Sequence, residues 1–136
     1  AEAVLPLAGL HLLLAEDNEL NSEIATALLE EQGASITAVE NGRLALEAIQ
    51  NAAPHTYDAI LMDVMMPEMN GLEATRCIRA FEGKGPGEGT PIIAMTANVF
   101  ADDVKACLDA GMNSHVGKPL DMKVLIGEIL KYTDAH

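Results

Sequence analysis

Positive charge is scarce in this chain. Eight lysines and arginines stand against 21 aspartates and glutamates, for a formal net charge of −13. Direct contact with nucleic acid by this segment is therefore not expected, because gripping phosphates takes a basic face. Aromatic side chains are scarcer still: Tyr57, Phe81, Phe100 and Tyr132, with no tryptophan. Any core must be aliphatic, with methionine as filler. No apolar run approaches the length of a membrane span and no signal-peptide pattern precedes the first strand, so no membrane contact by this segment is expected. The only cysteines, Cys77 and Cys107, fall in predicted helices and form no close pair. That spacing excludes the usual metal and redox motifs and fits reduced, packed thiols in a cytosolic protein. The first residue is Ala1 rather than Met, which suggests a fragment of a larger chain or a processed one.

What is present is a chain of one-domain length, 136 residues, 49% of them apolar. A domain near this size buries roughly two-thirds of the surface its unfolded chain exposes, enough for one real core. The stretch 57–71, YDAILMDVMMPEMNG, organises the rest. Residues 58–62 form a short apolar run between turn signals, the pattern of a fully buried strand in a parallel sheet. The run stops at Asp63. Pro67, four residues on, removes a backbone donor and fixes φ, which holds the following loop rigid. A carboxylate just past the carboxyl end of a buried strand sits where open α/β sheets place their ligands.

The same grammar repeats along the chain. Residues 1–9, with Pro6 and Gly9 and no periodicity, read as a linker. Residues 11–15 are a first buried strand running into Glu16, Asp17 and Asn18. Two adjacent acids there are costly unless something positive binds between them. Leu20, Ile24, Ala27, Leu28 and Glu31 mark a helix with a mostly apolar face, ended by Gly33. Residues 34–39 are a second strand, and Asn41-Gly42 is a turn whose Asn41 can cap the next helix. That helix turns Ala45, Leu46 and Ile49 inward, and Pro54 closes it. A third helix, from about residue 71 to 80, points Leu72, Thr75 and Ile78 inward and Arg76 and Arg79 to solvent. Residues 83–89, GKGPGEG, are a connector. They lack the G-x-x-x-x-G-K-[ST] pattern and precede a strand, so a phosphate loop is excluded. The fourth strand ends in Thr96. A fourth helix over 100–110 buries Val104, Cys107 and Leu108. A short fifth strand, 114–117, ends in Lys118, whose backbone Pro119 holds extended. The last helix starts near an Asp121 cap and buries Leu125, Ile126, Ile129 and Leu130.

Strands and helices alternate five times, which predicts an α/β fold with a parallel sheet and right-handed crossovers. The polar residues Glu16, Asp17, Asp63, Thr96 and Lys118 all fall at or just past strand carboxyl ends. Three converging carboxylates call for a cation, and all-oxygen ligation favours Mg²⁺ or Mn²⁺. A threonine hydroxyl and a lysine ammonium complete a site for a dianionic tetrahedral group. Phosphoryl transfer needs positioning and charge neutralisation, and a carboxylate can itself be the nucleophile.

The segment D-x-x-M-P-x-M-[DN]-G after an apolar strand closely resembles the phosphoacceptor segment of response regulator receiver domains, and the resemblance covers residues 10–134. LLLAEDNELN, ILMDVMMPEMNGLEATRCIR, PIIAMTANVF and CLDAGMNSHVGKPL are similar to receivers fused to hybrid sensor histidine kinases. The resemblance implies a (βα)5 doubly wound, flavodoxin-like sheet of order 2-1-3-4-5. It implies that Asp63 accepts a phosphoryl group from a phosphohistidine, and that Asp17, Asp63 and the main-chain oxygen of Met65 ligate Mg²⁺, with Glu16 acting through water. Thr96 would hydrogen-bond the phosphoryl oxygens and Lys118 would pair with them. It further implies a cytoplasmic relay domain, not a conventional enzyme. Its partners would be a histidine kinase domain and a histidine phosphotransfer protein, and a membrane-anchored parent kinase would tether it to the inner membrane. A receiver excised from an ordinary regulator is the alternative origin. His115 departs from the pattern, standing where the family has Tyr or Phe as a rotameric switch. Haloacid-dehalogenase-type phosphatases also use a strand-end Asp, but want a second Asp where this chain has Met65.

Overall fold

The structure, a computed structural model, describes residues 5–53, 56–64, 66, 69–85, 89–96, 101–117 and 121–133, with 101–103 described by backbone alone. Among them strands and helices alternate: β1 (His11–Ala15), α1 (Glu19–Glu31), β2 (Ser35–Val39), α2 (Gly42–Asn51), β3 (Ala59–Asp63), α3 (Gly71–Glu82), β4 (Ile92–Thr96), α4 (Ala101–Ala110), β5 (Ser114–Gly117) and α5 (Met122–Thr133). The sheet is parallel throughout, in the order β2-β1-β3-β4-β5. This is the doubly wound, flavodoxin-like arrangement.

Alternation along each strand divides the core in two. Leu12, Leu14, Leu61, Ile93 and Met95 face Ala25 and Leu29 of α1 and Leu125 and Ile129 of α5. Leu13, Ile60, Met62, Ile92 and Ala94 face Ala45 and Ile49 of α2, Ala74 and Ile78 of α3, and Cys107 of α4. Both faces being covered explains why β3 and β4 read as unbroken apolar runs: every residue of each is buried. Asparagine side chains start three of the helices. Asn18 accepts from the Asn21 N–H, Asn41 from Leu44 and Asn70 from Glu73, at 2.8–2.9 Å. Asp121 caps α5 through the Lys123 N–H at 2.9 Å.

Several expectations fail in instructive ways. Helix α1 forms, but Leu20 and Ile24 are exposed and the buried stripe is Ala25 and Leu29. Apolar residues occupy more than one side of this helix, so periodicity alone could not choose the inner one. Leu108 on α4 is also exposed, while Cys107 beside it is buried. Arg79 is the largest departure, because it is buried rather than solvated. Its guanidinium donates to Gly111 O, Thr90 O, Asn113 Oδ1 and Glu82 Oε1 at 2.8–2.9 Å. Burial pushes its pKa below the ordinary arginine value, and the hydrogen bond and charge of Glu82 act the other way. Within the expected linker, Leu7 is fully buried against the α1/α5 core and its N–H donates to Gln32 O at 2.9 Å. Pro54, Met65, Pro67, Phe100, Lys118 and Pro119 lie outside the described residues. No helix among the described residues is long and apolar enough to cross a membrane.

Candidate functional site

The parallel register of β1 and β3 builds the centre of the site. Leu14 lies opposite Leu61 and Ala15 opposite Met62. The next residues, Glu16 and Asp63, therefore leave the sheet at the same level on neighbouring strands, which run about 4.8 Å apart. A further ladder bond from the Glu16 N–H to Val39 O, 3.1 Å, holds the first acid in line. Asp17 follows, and the Asn18 cap starts α1 immediately after it. Carboxylate oxygens of Glu16, Asp17 and Asp63 all come within 4.8 Å of one another. Glu16 and Asp63 are each 4% exposed, whereas Asp17 is open to solvent.

Like charges at this separation repel, and the repulsion strengthens where water is excluded. Such a cluster is stabilised by a cation. Its donors are carboxylate oxygens, the set suited to hard divalent ions of the Mg²⁺ and Mn²⁺ type, and the exposed Asp17 leaves a side open to water. The residues present therefore fit a divalent cation.

Threonine and histidine enter from the other side of β3. Asp63 pairs with Met95 of β4, and Val64 N–H donates to Met95 O at 3.1 Å. Thr96, one residue further, ends β4 and is buried. Its partner across β5 is Gly117, and His115, half-buried, pairs with Ala94 on the outermost strand. Lys118 is next in the chain after Gly117 and, with Met65, falls outside the described residues.

Two contacts give the Asn70-Gly71 end of the motif after Asp63 a structural reason. Gly71 opens α3 against the end of β3. A Cβ there would run into the Asp63 carbonyl oxygen and come within 3.0 Å of Met62 Cγ and Val64 Cα. Its N–H donates to Val64 O at 3.0 Å. The glycine eight residues past the acid is thus a requirement of close approach. Asn70, which caps α3, was legible as Asn followed three residues later by Glu73.

The sequence profile of the response regulator receiver domain matches residues 12–130. The chain belongs to the response regulator receiver family. Among curated relatives, this receiver is 40% identical over 140 residues to a protein named probable histidine kinase 1 of Oryza sativa subsp. indica. The match takes in 82% of this chain but only 14% of that kinase. Among solved structures, the receiver domain of the sensor histidine kinase PA1611 of Pseudomonas aeruginosa PAO1 is 38% identical, with a TM-score of 0.81. It covers 94% of this chain and 100% of that one, and it carries a magnesium ion coordinated in its active site cleft. The Saccharomyces cerevisiae receiver of Ssk1, crystallised with the histidine phosphotransfer protein Ypd1, is 27% identical with a TM-score of 0.83. It covers 94% of this receiver and 91% of that chain. The likeness is thus to receivers of histidine kinases and of phosphorelays, within two-component signalling.

Proposed function

We propose that Asp63 takes a phosphoryl group from a phosphohistidine of a histidine kinase domain and yields it to a histidine phosphotransfer partner. The observation that carries this is the buried strand-end carboxylate of Asp63 with the carboxylates of Glu16 and Asp17 within 4.8 Å. An Asp63 carboxylate oxygen forms the new P–O bond as the P–N bond of the donor breaks and its electron pair returns to the imidazole ring. The reverse exchange on a phosphotransfer histidine completes the relay. The receiver unit is taken as residues 10–134, and Leu7 of the segment before it packs against its α1/α5 core.

Each group has one task in this reading. Asp17, Asp63 and the main-chain oxygen of Met65 hold Mg²⁺, or Mn²⁺ in its place, and Glu16 acts through water. The ion supplies charge neutralisation for the incoming phosphoryl oxygens. Thr96 donates its hydroxyl to one of those oxygens and Lys118 pairs with another. In this reading the domain catalyses its own phosphorylation and dephosphorylation and is not a conventional enzyme. The coordinated magnesium of the P. aeruginosa relative supports the metal assignment, and the Ypd1 complex of the yeast relative supports the partner class.

Acetyl phosphate with Mg²⁺ tests the central claim. Intact-mass measurement is expected to show one added phosphoryl group in the parent, none without a divalent ion, and none in Asp63→Asn. Equal labelling of Asp63→Asn would refute the assignment.

A further inference from the structure

Gly42 opens α2, far from Asp63 in the sequence, yet it touches the segment that leaves Asp63. Its N–H donates to Met69 O at 2.9 Å. A Cβ on Gly42 would run into that same oxygen, and would come within 2.9 Å of Ala74 Cβ and 3.0 Å of Asn70 O. Asn70 caps α3, and Gly71 is the residue whose N–H holds Val64 O and on which a Cβ would run into the Asp63 carbonyl oxygen. The connection from Asp63 to α3 is therefore pinned at both ends by glycines. One sits on α3 itself and the other on a neighbouring helix.

We infer that Gly42 is a positioning residue for phosphoryl acceptance, holding the backbone of the β3–α3 connection from the side of α2. The inference rests on the reading of the site given above. When a methyl group is placed on Gly42, α2, Ala74 of α3 or the Met69–Asn70 backbone must yield, and Ala74 is buried in the same core as the inner face of α2. Helix α2 is fixed by Ala45 and Ile49, buried among Leu13, Ile60 and Met62, and by its Asn41 cap. Met69 and Asn70 are only half-buried and belong to a connection rather than to an element. The backbone of the connection yields, and the displacement passes through Gly71 to the carbonyl of Asp63. Small misplacements at a reacting centre have large effects on rate, so a shift of a few tenths of an ångström is enough.

The test separates positioning from mere stability. Gly83 ends α3 with φ +66°, and a Cβ there meets nothing within 4 Å. Gly83→Ala therefore strains the fold without touching the site and serves as a control. For the parent, Gly42→Ala and Gly83→Ala, three quantities are measured: melting temperature, Mg²⁺ dissociation constant by calorimetry, and the rate of labelling by acetyl phosphate. Both variants are expected to melt lower than the parent. Only Gly42→Ala is expected to bind Mg²⁺ at least fivefold more weakly and to be labelled at least fivefold more slowly. Parent-like values in folded Gly42→Ala, or equal losses in Gly83→Ala, would overturn the inference. If Gly42→Ala does not fold, the parent decides. Its Gly42 amide resonance is expected to shift along the Mg²⁺ titration with the same midpoint as that of Asp63. A stationary Gly42 resonance would overturn the inference alone. A parent that neither binds Mg²⁺ nor accepts a phosphoryl group would overturn the reading of the site as well.

Discussion

The two ends of the sheet treat buried charge in opposite ways. At the amino ends of β4 and β5, a single buried cation, Arg79, is met by two backbone carbonyls, the Asn113 amide oxygen and the Glu82 carboxylate. Glu82 in turn accepts from both the N–H and the hydroxyl of Thr90, at 3.1 and 2.6 Å. At the carboxyl ends, β1 and β3 bring three acids within 4.8 Å of one another. One end is neutralised from within the chain, which fixes how α3, β4 and the α4–β5 turn sit together. The other gathers three carboxylates into a set that fits a divalent cation. A self-satisfied cluster holds the fold in one arrangement. A like-charged one keeps part of its stability contingent on a ligand, the condition for a site that responds to binding.

The sharpest way to break this comparison is at Arg79. Removing one partner from a buried, hydrogen-bonded charge pair leaves the others desolvated and unmatched, at a cost of about 3–5 kcal/mol. Arg79→Met is expected to lose stability in that range in urea unfolding, while the folded fraction keeps the Mg²⁺ affinity of the parent. A loss below about 1 kcal/mol, the range of exposed pairs, would show that the clasp is not fixing the fold.

The acid end is expected to respond to metal instead. A ligand bound only by the native state adds RT ln(1 + [L]/Kd), about 2.7 kcal/mol at one hundred times Kd. Unfolding of the parent in Mg²⁺ at that level is expected to show this gain. Asp17→Asn removes one of three mutually repelling charges. It is expected to be more stable than the parent without metal and to lose most of the Mg²⁺ response. An equal response in both proteins would move the binding site away from the cluster.

The acid end was readable in the sequence because its logic is local. Asp63 and the Glu16-Asp17 pair each follow an apolar run directly, and parallel register does the rest. Alternation and the buried faces of α2 and α5 were legible for the same reason, whereas the strand order followed from the resemblance to the receiver family and not from local pattern. The amino end was not. Arg79 shares α3 with Arg76, and nothing in that helix marks which arginine finds Thr90, Gly111 and Asn113, residues 11 to 34 positions away. Helix α1 failed differently, since Leu20, Ile24, Ala25 and Leu29 supply apolar surface on more than one side, and only the sheet decides which is covered. Gly42 looked like turn chemistry alone. Its contact with Met69 is a tertiary fact that a dipeptide cannot carry.

The smallest expected effect lies between the two ends, on β5. Thr96 and Gly117 are partners, as are Ala94 and His115, so Thr96 and His115 share one face of the sheet two rungs apart. Gly117 contributes no side chain at the level of Thr96, and His115 is the next side chain along that face. Resemblance to the family puts a large aromatic ring at this position, filling space as the threonine shifts toward the phosphoryl group. The imidazole of His115 is smaller, so moving it inward fills less space and gains less contact for the activated arrangement. The coupling between phosphorylation and the β5 surface is therefore expected to be weak. Titrating a histidine phosphotransfer protein against the parent, with and without beryllofluoride, is expected to show less than a tenfold change in affinity, below about 1.4 kcal/mol. His115→Tyr is expected to enlarge that change, because the phenol ring fills the space the imidazole leaves. A change of tenfold or more in the parent that disappears in His115→Ala would show that the imidazole is a full switch.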